Sequence, residues 1–537
     1  MEKSEMKQSE YSVVIIGSGV AGLYAALKFA QMRKSAEKIL LVTKCPLGES
    51  NSRYAQGGIA GVIRINPQDS VDLHTSDTLK AGAGLSDEAV TRYISGSSEN
   101  ILFDLIQNGI KFDSDESGNF AYALAGAHSL KRVLHIGEDS TGRGLIEVLV
   151  NKIKDIKKIC VMEKSTVVDL IVNSDKKCQG VIIYNKDTNE HEVVYSSAVV
   201  IATGGAGQIY KYTTNPYGAT GDGIAAAYEA GAEIQDIEFI QFHPTALAQN
   251  PNSKNRFLIS EAVRGEGAKL INKNNETFMQ RYSNKGELAS RDIVTRAIFA
   301  EMKRLNTDNV FLDTTVINHD KLLKRFPTIA KKCKAIGIDI TKTPIPVAPA
   351  AHYTMGGVKA EINGKTSING LYVIGEAAST GLHGANRLAT NSLLECVVCA
   401  YESARNLVNS DLTITKDLDE NTDKIINEYS APVKADEYDI TALKNRLREI
   451  MWNNAGIIRN EKSLIKAKND IEQLKKEFNR NRKCLNLGEY EYRNMLTVAE
   501  LIIQGAINRK ESRGAHFRSD YPKRNETAEH SVIVKEE

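Results

Sequence analysis

Residues 11–30 read YSVVIIGSGVAGLYAALKFA. The apolar run Val13–Ile16 has the composition of a buried strand, a glycine-rich turn follows, and the remainder has the apolar spacing of a helix. Gly17, Gly19 and Gly22 fit G-x-G-x-x-G, with Ser18, Val20 and Ala21 between them. In such a turn the first glycine bends the chain and the second lets the backbone approach a pyrophosphate. The third lets helix and strand pack closely, while the helix N-terminus offers N–H donors. The motif alone is weak; its strand–turn–helix setting strengthens it. A second strand is expected at Lys38–Lys44. It ends in Thr43 and Lys44, without the carboxylate that usually holds an NAD ribose, which favours FAD.

Other small-residue stretches extend this reading. SNSRYAQGGIAGV (50–62) offers Asn51, Ser52 and Gln56 as polar contacts, with Gly57 and Gly58 allowing close approach. VVIATGGAGQIY (199–210) and NGLYVIGEAAS (369–379) are further strands running into glycine turns, and GATGDGIAAAYEAGAE (218–233) carries Asp222. Several βα crossings so far apart imply an α/β fold. The expected architecture is a Rossmann-like FAD-binding domain split by an α+β capping domain and followed by a C-terminal helical domain. The expected boundaries are 1–238 and 354–415 for the first, 239–353 for the second and 416–537 for the third.

The 537 residues suffice for several domains and a large core. A net charge of +2 gives no case for nucleic acid, and no run of about 18 apolar residues suggests a membrane span. The start, MEKSEMKQSEYS, lacks the apolar core of a signal peptide. Seven scattered cysteines form no disulfide framework and fit a reducing cytoplasm. Cys396 and Cys399 form a single C-x-x-C in an apolar run, better read as helix packing than as a metal site.

The polar residues of the insert change character. His243 stands beside Pro244 after an apolar strand, and Glu261 and Arg264 are three apart, on one face if helical. Arg291 and Asp292 sit at an expected helix start, and His352 precedes Gly356 and Gly357. Each has an ordinary alternative: structural histidines, a surface ion pair, a helix cap. Further on, LHGANRLATNSLLE (382–395) sets Arg387 among residues too small to shield it. A loop arginine is most simply solvated. The other reading is that the small residues admit a planar ligand while Arg387 grips an anion.

Taken together, GSGVAGL, YAQGGIA, TGDGIA, QFHPTAL, EAVRGEGA, RDIV, HYTMGGV, GEAASTGLHGANRLATNSLLEC and ESRGAHFRSDYP, in that order, resemble the succinate dehydrogenase and fumarate reductase flavoprotein family. The resemblance runs from about Tyr11 to Pro522 and is greatest to the L-aspartate oxidase branch. It implies that Arg387, His243 and His352 hold one substrate carboxylate and that Ser260 and Glu261 line the other. It also implies that Arg291 moves the proton, supplied through Glu261 and Arg264. FAD would be held by Gly17, Ser18, Gly19, Val20, Ala21, Gly22, Lys44, Asn51, Ser52, Arg53, Tyr54, Ala55, Gln56, Gly57, Gly58, Asp222, Glu376, Ser392 and Leu393. The physical chemistry agrees: guanidinium forks and imidazole donors suit a dicarboxylate, and the protein's part in a hydride transfer is orientation and electrostatics.

The respiratory members attach FAD through a histidine before the paired glycines. GESNSRYAQGG (48–58) has none, so non-covalent FAD is expected. The oxidase branch implies oxidation of L-aspartate to iminoaspartate, with reoxidation by oxygen or fumarate. The product would pass to quinolinate synthase, as the first step of de novo NAD synthesis. A soluble fumarate reductase, a succinate dehydrogenase flavoprotein subunit and a poorly turning dicarboxylate-binding flavoprotein stand as alternatives. One position departs from the branch. Its members carry a glutamate three residues before the histidine of this loop, orienting the substrate's amino group; in YALAGAHSLKR (122–132) that position is Ala125.

Overall fold

The computed structural model describes residues 6–33, 37–248, 255–430, 438–479 and 484–536; the first five residues of the polar start lie outside them. The strand expected at Val13–Ile16 is longer, Lys7–Ile16, and lies inside a sheet of seven strands. It pairs in parallel with Ile39–Val42 on one side and with Glu190–Ile201 on the other. Leu371–Val373, from beyond the insert, also pairs in parallel with Glu190–Ile201. The two halves of the split domain are thus joined by strand pairing. Strands buried on both faces read as continuous apolar runs, which is why VVII and ILLV are legible.

One face of this sheet is covered by the helices Val20–Met32, Thr141–Lys154 and Asn391–Val408. Cys396 and Cys399 are buried in the last of these. The other face continues into a core shared with the helices Ile440–Asn454, Glu461–Glu477 and Leu487–Asn508. After Asn508 none of the described residues is helical. The chain returns to pair Val532–Ile533 with Ile234–Gln235, fastened by Arg509 to Asp236, Glu238 and Glu511 at 3.3, 2.6 and 3.0 Å.

The insert has its own core, from Leu247 to Val347, and its own antiparallel sheet of four strands. In that sheet Ile240–Leu247 pairs with Ile345–Thr354. His243 does not follow the strand, as read from the sequence; it lies within it. Pro244 cannot donate to the ladder and is accommodated where the register shifts between His243 and Ala246. Among the described residues no helix is long and apolar enough to cross a membrane.

Candidate active site

A cavity of about 1310 Å³ runs between the sheet's glycine turns and the insert. That exceeds the usual range for one small ligand. At one end stand Gly17, Ser18, Gly19 and Ala21. Gly17 has φ +111°, and a Cβ there would sit 2.3 Å from the Ala202 carbonyl oxygen. A Cβ on Gly22 would sit 2.0 Å from the Gly17 carbonyl. Gly22 therefore serves the packing of turn on helix and does not line the cavity. Val20 is fully buried and does not line it either, so these two expected contacts stand behind the wall. The helix Val20–Met32 has no side-chain cap and no acidic residue in its first turn, as suits an anion at its N-terminus.

The residues Asn51–Gly58 line the next stretch, with Lys44, Asp222, Glu376, Ser392 and Leu393. Tyr54 is half-exposed at the rim, and Arg53 leans to Glu147 at 3.7 Å. Burial alone would lower the Lys44 pKa, but Asp222 at 2.6 Å and Glu491 at 2.9 Å raise it, so it stays charged. Burial pushes the Glu376 carboxyl up to about 7, although it accepts from the Thr354 N–H and from Asn51, both at 3.1 Å. Thr203 Oγ1, Gln56 Oε1 and Asn215 Oδ1, which also line the cavity, are buried without a hydrogen-bond partner among the described residues. Buried polar atoms are rarely left so. A dinucleotide with many acceptors and donors fits a wall of this kind.

At the other end the cavity gathers His243, Ser260, Glu261, Arg291, His352 and Arg387. The helix Arg291–Leu305 starts at Arg291 and carries it in from the insert; Arg387 arrives from the loop before Asn391–Val408. Arg387 is not a solvated surface charge. It is 5% exposed, lies 4.1 Å over the Tyr353 ring and donates to Ser392 Oγ at 2.8 Å. Burial, with Arg291 nearby, pushes its pKa down to about 10, which still leaves it protonated at neutral pH.

The Thr245 N–H donates to His243 Nδ1 at 3.2 Å, so the neutral ring carries its proton on Nε2, as a donor without a protein partner. His352 Nδ1 contacts Thr214 Oγ1 at 2.8 Å, and the two imidazoles meet at 5.0 Å. Burial and the surrounding guanidiniums hold both histidines well below their ordinary pKa and therefore neutral.

Glu261 is the counter-ion. Burial would raise its pKa, but Arg291 and Arg264 outweigh that and hold it below the usual range. Its Oε2 accepts from Arg291 Nε at 2.7 Å, and Arg264 approaches Oε1 at 3.6 Å along the short helix Glu261–Gly265. Three guanidiniums thus face one ionised carboxylate, leaving two positive charges to meet a dianion. The expected path to solvent is altered at its outer step. Arg264 is 2% exposed, outside the cavity, and its NH1 donates inward to the Glu287 carbonyl, so it does not itself reach water.

The sequence reading missed Gln241. Its Oε1 accepts from Arg291 NH1 at 2.8 Å and from Arg387 NH2 at 3.2 Å, so one amide oxygen spaces both arginines. The available signal was its place two residues before His243, on the same face of the strand. The Ala125 side chain does not line the cavity. Its neighbour Gly126 does press on the site: a Cβ there would fall 1.8 Å from Glu261 Oε1.

Fold and site together define a flavoprotein with an anion pocket between its two main units. Residues 12–393 match the FAD binding domain family, and residues 444–537 match the fumarate reductase flavoprotein C-terminal family. The chain is 42% identical to L-aspartate oxidase 1 of Ralstonia nicotianae, over 95% of this chain and 96% of that protein. It is 40% identical to L-aspartate oxidase of Yersinia pestis, over 97% and 98%. Among solved structures it is similar to a chain of E. coli quinol fumarate reductase, with a TM-score of 0.90 and 29% identity, covering 99% of this chain and 96% of that one. The chain belongs to the L-aspartate oxidase branch of this FAD-binding flavoprotein family.

Proposed function

We propose that the chain is an FAD-dependent oxidoreductase that oxidises L-aspartate to iminoaspartate, with reoxidation by oxygen or fumarate. The observation that carries this reading is the pair Arg291 and Arg387, meeting on Gln241 beside a cavity that a dinucleotide fits. We read 239–353 as a capping domain over an FAD-binding domain formed by 1–238 and 354–415, with 416–537 as a C-terminal helical domain.

Held by the glycine turn Gly17–Gly19 and by Asn51–Gly58, FAD would supply the two-electron acceptor of the reaction. The chain's residues do the rest. The glycine turn Gly17–Gly19 and the helix N-terminus behind it take the pyrophosphate, and Glu376 and Asn51 stand ready for hydroxyl groups. Arg387 and the His243 Nε2–H, with His352, grip one carboxylate of the dicarboxylate; Ser260 faces the other. In fumarate reduction the Arg291 guanidinium gives the substrate carbon the one proton that accompanies the hydride, and Glu261, 2.7 Å away, orients it and relays the replacement proton. Closure of the site by the insert excludes water, which makes each of these charges count for more. In this reading the imine is handed on to quinolinate synthase in the cytoplasm, at the start of NAD biosynthesis.

Aerobic turnover of L-aspartate should yield hydrogen peroxide, with ammonia and oxaloacetate from hydrolysis of the imine, in equal amounts; absence of all three would end the oxidase reading. The cofactor should come free. Acid precipitation is expected to leave yellow flavin in the supernatant, because Asn51–Gly58 contains no histidine. Flavin fluorescence remaining on the denatured chain would contradict that.

A further inference from the structure

At the seam between the insert and the FAD-binding unit, the turn Gly137–Ser140 meets the segment Arg325–Ile329. The Asp139 carboxylate is buried, 3% exposed. It accepts the N–H of Thr328 at 3.1 and 3.2 Å and the N–H of Ile329 at 3.2 Å. These donors open the helix Pro327–Lys334. Pro327, at its first position, has no N–H, so Asp139 takes the first two donors the helix can offer. Next to it, Glu138 Oε2 pairs with Arg325 NH1 at 2.7 Å. Two consecutive carboxylates of one unit therefore hold a helix start and the preceding arginine of the other.

The turn is shaped for this contact. Glu138 has φ +63°, a left-handed conformation that disfavours a residue with a side chain. It is kept there from the opposite side by Asp113, which accepts the N–H of Gly137 at 2.8 Å and of Glu138 at 2.9 Å. Asp139, Ser140, Pro327 and Thr328 all face the cavity, so the contact forms part of its wall. The two arginines of the site come from opposite sides of the same seam, Arg291 from the insert and Arg387 from the FAD-binding unit.

We infer that Asp139 and Glu138 are positioning residues: they clasp the insert in the closed arrangement that brings Arg291 and Arg387 onto one substrate. The inference rests on the reading of those arginines as the substrate grip. The clasp parts to let ligand in and product out, and its strength sets how much of the free holoenzyme is already closed.

The test uses holoenzyme carrying Asp139→Ala, Asp139→Asn or Glu138→Gln, with iodide quenching of flavin fluorescence, the rate of FAD release, and kcat and KM for fumarate. Asp139→Ala is expected to raise the quenching constant about threefold, speed FAD release about tenfold and raise KM about tenfold, with kcat changed less than about threefold. Asp139→Asn keeps one acceptor oxygen and should fall between. Glu138→Gln, at a half-buried site, should move the same quantities less, and adding Arg325→Ala to it should change nothing further. If Asp139→Ala does not fold, Glu138→Gln decides. Flavin access and KM both unchanged in a folded variant would overturn the clasp. So would a fall in kcat at constant KM, or greater flavin access with normal fumarate kinetics. Failure of the substrate-site reading shows elsewhere, as an unaltered protein inert to both fumarate and aspartate.

Discussion

Arg291→Lys is expected to leave FAD bound and to lower kcat for fumarate reduction at least about a thousandfold, about 4 kcal/mol of transition-state stabilisation. Arg291 does two things at once: its Nε donates to Glu261 Oε2 at 2.7 Å and its NH1 to Gln241 Oε1 at 2.8 Å. A lysine ammonium is a single point on a flexible stem and cannot hold both partners while also facing the substrate. FAD should stay bound in full amount, since Arg291 stands at the far end of the cavity from the glycine turn that takes the pyrophosphate. A raised KM with near-normal kcat would mean that Arg291 only binds a carboxylate and that another group moves the proton.

Ala125→Glu is expected to raise kcat/KM for L-aspartate by about tenfold or more, about 1.4 kcal/mol or more. It should leave fumarate reduction unchanged or slower. The substrate's ammonium needs an acceptor. The one carboxylate among the clustered arginines, Glu261, is already engaged by Arg291 and Arg264. The loop that carries Ala125 abuts Glu261 through Gly126, so a glutamate at 125 starts one residue from the site. With fumarate, which has no ammonium, the added charge would only oppose a dianion and Glu261. Measured kcat/KM for both substrates in both proteins decides it. Full aspartate activity in the unaltered protein, with no gain from the glutamate, would show that another group holds the amine.

The parts of this molecule that were legible in its sequence are those whose physics is local. A buried parallel strand needs a continuous apolar run, and a pyrophosphate turn needs glycine where φ is +111° at Gly17. Both leave marks in a few consecutive letters. Arg387 looked out of place among small residues, and the reason is the closeness of the cavity wall. Gln241 was not legible, because its role arises only when a strand and a loop bring Arg291 and Arg387 to one amide oxygen. Pro244 misdirected the reading of His243: proline usually ends a strand, and the bulge that tolerates it is a tertiary feature. Val20 and Gly22 belong to the motif by spacing, yet they serve packing. The terminal strand Val532–Ile533 is two residues long; pairing with Ile234–Gln235 and the buried Arg509 network hold it, and neither has a local signature. Asp139 reads as an ordinary loop acid until the helix at Pro327 is placed over it.

The central claim, that this cavity oxidises L-aspartate with FAD, is tested most directly by mixing the protein with L-aspartate without oxygen and following the flavin absorbance. The account predicts bleaching of the oxidised flavin, with recovery on adding either oxygen or fumarate. A flavin that stays oxidised with L-aspartate but bleaches with succinate would contradict it.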